Sequence, residues 1–138
     1  MHHWYEFEAA EQVLRTYNTF AVVGCSDDPT RPSHGVARTL GTRGYQVVPV
    51  NPNVAEVHGL RSYPDLAAAA KEHDIEVVDL FRRSENVSDH VDEAIAIGAK
   101  AVWMQLGVID EKAAARAEDA GLIVVMDRCP AIDLRRVS

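Results

Sequence analysis

The sequence predicts an α/β fold: a mostly parallel sheet of about five strands with helices on both faces. Two observations carry this. Short apolar runs rich in Val and Ile alternate with helical patterns of roughly 10–15 residues, the signature of βαβ units. Those runs hold few polar residues at alternate positions, as strands covered on both sides do. Right-handed crossovers then place helices on both faces of the sheet.

The elements follow in order. Phe7, Ala10, Val13, Leu14 and Tyr17 recur at helical spacing and predict an amphipathic helix over about Glu6–Thr16. Thr19 to Gly24 reads as a buried strand. Cys25 to Pro32, with its Ser, Asp, Thr and Pro residues, reads as a loop. Ser33 is the expected cap of a helix from His34 to about Arg43, ended at Gly44. Tyr45–Val50 is the second strand, and Val57 to Leu60 a short extended piece. Pro64 is placed to begin a helix running through Asp65–Glu72. Ile75–Phe81 is a strand. Ser84 is the expected cap of a helix ending at Gly98. Ala101–Gln105 is the next strand, Asp110 caps a helix over Glu111–Ala120, and Leu122–Met126 is the last strand. The tail from Asp127 is expected to be irregular.

The chain of 138 residues fits one domain over 1–138. A net charge of −7 argues against nucleic acid as a partner, which needs a positive field. No apolar stretch approaches the roughly 20 residues of a membrane span. Met1 to Ala10 carries Glu6 and Glu8 and no apolar core of the kind an export signal has, so a cytoplasmic protein is expected. Neither the two cysteines, Cys25 and Cys129, nor the scattered histidines have metal-site spacing. There is no G-x-S-x-G or H-E-x-x-H motif, so no catalytic residue is assigned.

Open parallel sheets bind ligands beyond the carboxyl ends of their strands, where strand order reverses. That rule selects Gly24-Cys25-Ser26, Asn51-Pro52-Asn53, Arg82-Arg83-Ser84, Gln105-Leu106-Gly107 and Asp127-Arg128-Cys129-Pro130. Four arginines (Arg31, Arg82, Arg83, Arg128) are expected on that edge. Two adjacent side chains on an extended chain point opposite ways, so one of Arg82 and Arg83 is expected to meet an anion. The turn after the first strand suits phosphate, since free N–H groups and the helix dipole favour negative charge there. Arg31 and the hydroxyls of Ser26, Thr30 and Ser33 are placed to add contacts, while Asp27 and Asp28 are expected to make the turn and point away. The G-x-G-x-x-G fingerprint is missing, and Asn51 stands where an acidic residue usually takes the ribose hydroxyls. Both departures weigh against ordinary NAD binding and are compatible with coenzyme A.

Five blocks in order carry a family resemblance: Val22 to Ser33, Pro49-Val50-Asn51-Pro52, Asp79 to Ser84, Ala101 to Gly107 and Met126 to Pro130. From about Tyr17 to Leu134 the chain resembles the stand-alone CoA-binding domain proteins of bacteria, which are similar to the CoA-binding domain of the succinyl-CoA synthetase α subunit. The resemblance implies a Rossmann-like sheet with CoA over its carboxyl edge. Gly24 to Pro29 would hold phosphate or ribose, and Asn51 to Asn53, Pro52 included, would border the adenosine. Phe81, Arg82 and Arg83 would flank the nucleotide, while Gln105, Leu106 and Gly107 would line the path of the pantetheine arm. The synthetase has a lysine near the second turn; this chain has none between Asn51 and Ala70. The synthetase's phosphohistidine lies in a domain without counterpart here, so its ligase activity does not carry over.

The expected function is therefore binding of CoA or an acyl-CoA by a non-catalytic module that senses the ligand or presents it to a partner protein. Two alternatives stand beside it: an NAD(P)-binding redox module, and an acyl-CoA-acting enzyme with Cys25 or Cys129 as nucleophile. Cys25, Cys129 and Trp103 are expected in the core. Asp79 and Asp127 are expected to serve as structural partners for backbone groups or Arg.

Overall fold

A computed structural model of the chain describes residues 2–137. Its strands are β1 (Thr19–Val23), β2 (Gln46–Val50), β3 (Glu56–Val57), β4 (Leu60–Arg61), β5 (Val77–Leu80), β6 (Ala101–Met104) and β7 (Ile123–Val125). Its α-helices are α1 (Phe7–Thr16), α2 (Pro32–Thr42), α3 (Leu66–Ala70), α4 (Val87–Ala96), α5 (Glu111–Asp119) and α6 (Pro130–Asp133). Five strands form one parallel sheet in the order β2-β1-β5-β6-β7. The chain runs outward from β1 to β2, then returns past β1 and continues through β5, β6 and β7. Strand order therefore reverses at the β1/β5 boundary.

Alternate residues of each strand enter two separate cores, as the two-residue period of a strand requires. Ala21, Val23, Val78, Leu80, Val102 and Met104 pack with α3, α4 and α5. Phe20, Val22, Val77, Trp103 and Val125 pack with α1, α2 and the chain near α6. Trp103 is in the core as expected, and its indole N–H donates to the Arg128 carbonyl at 2.8 Å. Both rims of the sheet carry extra bonds. At β2, the Tyr63 N–H donates to Pro49 O, and the Asn51 N–H donates to Tyr63 O. Just past β7, Met126 donates to Trp4 O.

Several local expectations are corrected. Helix α2 starts at Pro32, with Arg31 in the cap position, because proline suits the first helical turn; Ser33 lies inside the helix. Asp65 caps α3 by accepting from the Ala68 N–H at 2.8 Å, which leaves Pro64 outside the helix. A 3-10 turn, Ser84–Asn86, precedes α4, and no side chain caps that helix. The extended piece is a separate antiparallel hairpin, β3–β4, turning at His58 and Gly59, whose φ angles of 53° and 77° suit a tight hairpin. The tail is not irregular. Pro130 opens α6, and a 3-10 turn, Leu134–Arg136, follows. The Asp110 cap holds, accepting from the Ala113 N–H at 3.0 Å.

Asp79 differs most from expectation. It lies on the central strand, between Val22 of β1 and Trp103 of β6, and is fully buried. Neither carboxyl oxygen has a hydrogen-bond partner among the described residues. Burial pushes its pKa well above the ordinary carboxyl value. Asp127 does serve the backbone: its Oδ1 accepts from the Gly107 N–H at 2.7 Å. Among the described residues no helix is long and apolar enough to cross a membrane.

Candidate functional site

A cleft of about 830 Å³ opens over the carboxyl ends of β1, β5 and β6, beside the first turn of α2. It therefore sits at the reversal in strand order, where such sheets take ligands. A second groove, about 630 Å³, runs beside β2 and the hairpin and holds none of the sequence-predicted site residues.

Gly24 sets the floor. Its φ is +81°, its N–H donates to Val50 O at 2.8 Å, and a Cβ there would stand 2.5 Å from Phe81 O. Only glycine lets the β1 turn approach the exit of β5 so closely. The loop beyond is held by its own side chains. The Ser26 N–H donates to Ser33 Oγ at 3.0 Å, and the Asp28 N–H donates to Ser26 Oγ at 3.0 Å. Asp28 Oδ1 accepts from the Thr30 N–H and hydroxyl, and the backbone bond foremost holds its pKa below the usual value. Asp28 thus makes the turn as expected. Thr30 does not line the cleft; its hydroxyl is engaged by Asp28. No side chain caps the first turn of α2.

Gly24, Ser26, Arg31, Ser33, Asn51, Phe81, Arg82, Arg83, Gln105, Leu106 and Gly107 all line the cleft. Both Arg82 and Arg83 do so, because β5 ends at Leu80 and the strand's alternation no longer governs them. Among the described residues, Arg31, Arg82 and Arg83 form no ion pair. Asn51 ties two strand exits together. Its Nδ2 donates to Cys25 O at 2.9 Å, and its Oδ1 accepts from the Asn53 N–H at 2.9 Å. Gln105 is only 6% exposed, and its Oε1 has no partner among the described residues.

Of the predicted edge residues, Asn53, Ser84, Asp127 and Pro130 do not line the cleft, nor do Cys25, Pro52 and Arg128. Cys25 is turned into the core beneath the edge, where burial, and secondarily nearby Asp79, pushes its thiol to about 12. Burial and protonation both oppose formation of the thiolate there. Pro52 is on an exposed turn outside the cleft. Arg128 points away: its guanidinium pairs with Asp133 through two 2.8 Å bonds and donates to Tyr5 O at 3.0 Å. Cys129, on the expected edge, lines the cleft, and residues that the sequence reading did not assign to it are Pro32, Val36, Val108 and Ile132. Pro130, a usual first helical residue, was the signal that the tail folds back and brings Ile132 to the edge.

The CoA binding domain family matches residues 18–135, nearly the whole chain. This chain belongs to that family. The domain is 36% identical over 121 residues to YneT of Bacillus subtilis (strain 168), covering 86% of this chain and 87% of YneT. It superimposes on a hypothetical protein from Pyrococcus horikoshii OT3 with a TM-score of 0.89 and 37% identity, over 95% of this chain and 91% of that one. It also resembles the dinucleotide-forming acetyl-coenzyme A synthetase 1 of Ca. Korarchaeum cryptofilum, with a TM-score of 0.67 and 25% identity. That match covers 78% of this chain but 26% of the synthetase. The Rossmann-like α/β architecture thus recurs both in chains of this size and as a part of a much larger enzyme.

Proposed function

We propose that this CoA binding domain holds CoA or an acyl-CoA in the cleft and acts as a non-catalytic module, sensing the ligand or presenting it to a partner protein. The observation that carries this is the coincidence, at one strand-order reversal, of an uncapped α2 N-terminus with three arginines free of ion pairs. Phosphates are anions, and both features attract them. In this reading they lie against the first turn of α2 and Arg31. Adenine lies toward Asn51 and Phe81, and the pantetheine arm passes Gln105, Leu106 and Gly107. The buried Gln105 Oε1 would accept from an amide N–H of that arm, gaining the partner it lacks.

Calorimetric titration tests the reading. Micromolar or tighter CoA binding is expected, with dephospho-CoA weaker because it lacks one phosphate. Heat with NADH and none with CoA would overturn it in favour of a dinucleotide module.

A further inference from the structure

The cleft has two chemically different ends. Over β1 and β5 it carries Arg31, Arg82 and Arg83. Past the exits of β6 and β7 its lining is apolar: Leu106, Val108, Cys129 and Ile132. Among the described residues four large apolar side chains are exposed: Leu60, Leu106, Ile109 and Ile132. Two of these four, Leu106 at 57% and Ile132 at 47%, line this one cleft. The loop that presents Leu106 is fixed. The Gly107 N–H donates to Asp127 Oδ1 at 2.7 Å, the Val108 N–H to Gln105 O at 2.9 Å and the Ile109 N–H to Ser84 Oγ at 2.9 Å. Leu106 is thus held in water by a pinned loop, an arrangement that pays only when something apolar covers it.

We propose that this apolar end receives the uncharged aliphatic chain of an acyl-CoA thioester, so that acylated rather than free CoA is the preferred ligand. The inference rests on the CoA reading above, in which the thiol end passes Gln105 and Gly107. An acyl group on that sulfur continues onto Leu106, Val108 and Ile132. A fully buried methylene strengthens binding about fourfold, and one half-covered by an open shelf about twofold. A carboxylated acyl chain fits poorly. The guanidinium nearest the β7 exit, Arg128, is occupied by Asp133, and Asp127 stands beside Gly107.

Calorimetry with CoA, butanoyl-CoA, hexanoyl-CoA and succinyl-CoA, on the wild type and on Ile132→Ser and Leu106→Ser, tests this. Hexanoyl-CoA is expected to bind at least tenfold more tightly than CoA, and succinyl-CoA more weakly than butanoyl-CoA. The hexanoyl-to-CoA affinity ratio should fall to within about threefold in each variant that circular dichroism finds folded. A wild-type ratio near one with CoA itself bound overturns the inference and leaves the CoA reading standing. So does a tenfold ratio that survives both substitutions, or succinyl-CoA binding as tightly as butanoyl-CoA. No binding by CoA or any thioester overturns both.

Discussion

Replacing Asp79 by Asn isolates the cost of a carboxyl group on the central strand. Both side chains have nearly the same shape, and only one titrates. The unfolded carboxyl has a pKa of about 3.9, and burial raises the folded one well above it. Between those two values the unfolded chain has lost its proton and the folded chain keeps it. The Asp79 contribution to stability is therefore full below about pH 3.9 and falls as pH rises toward the folded pKa, by about 1.4 kcal/mol per pH unit. The amide variant carries no such linkage. The stability difference, Asp79→Asn minus wild type, should thus grow by about 1.4 kcal/mol for each unit inside that window. With a urea slope of roughly 1–3 kcal/mol/M, the gap between midpoints widens by roughly 0.5–1.4 M per pH unit. Urea unfolding at a series of pH values from about 4 upward reads this directly, and any fixed packing difference cancels in the comparison. Parallel pH profiles for the two proteins would refute the placement of an unpartnered carboxyl between Val22 and Trp103.

Other expectations concern the cleft and its frame. Gly24→Ala, forced to φ +81° with its Cβ against Phe81 O, should cost at least ~1–3 kcal/mol of stability by urea unfolding; a neutral effect would mean that the turn is not as close as described. Arg82→Ala should weaken CoA roughly 10- to 100-fold by calorimetry, the worth of one charge-assisted bond, while unfolding stays near the wild-type midpoint. Arg128→Ala should do the opposite, since it strands the 4%-exposed Asp133 side chain: about 3 kcal/mol of stability lost with CoA affinity unchanged. In a Cys129→Ser background, Cys25, its thiol near 12, should react with a disulfide reagent at pH 7.5 only once denaturant opens the fold; fast native labelling contradicts its burial.

The architecture was legible because parallel strands covered on both faces write themselves as apolar runs, as Phe20–Val23 and Ala101–Met104 do. The strand ends then named most of the cleft by topology alone. What escaped were facts of side-chain direction. Arg128 and Arg82 are both guanidiniums just past a strand, and only tertiary placement tells that Asp133 captures the first. Cys25 and Ser26 are neighbours, yet one turns into the core and the other toward the cleft. Asp79 was misread because an acidic residue in a strand normally finds a partner, and nothing local shows that its neighbours are Val22 and Trp103. Ile132 was lost with the tail, whose short helix is stabilised by packing against α1 and α2 rather than by its own four residues.

The treatment of the two sheet rims bears on how copies of this chain behave at high concentration. Bare strand edges recruit other strands and lead to fibre-like growth. Here Trp4 occupies the amide just beyond β7, Tyr63 claims the far end of β2, and Pro49 has no amide hydrogen to lend. The stretches left for strand addition, Gln46–Val48 and the three residues of β7, are short, too little to template a growing stack. Concentrated folded protein should consequently stay dispersed where a sheet with two bare rims would gel.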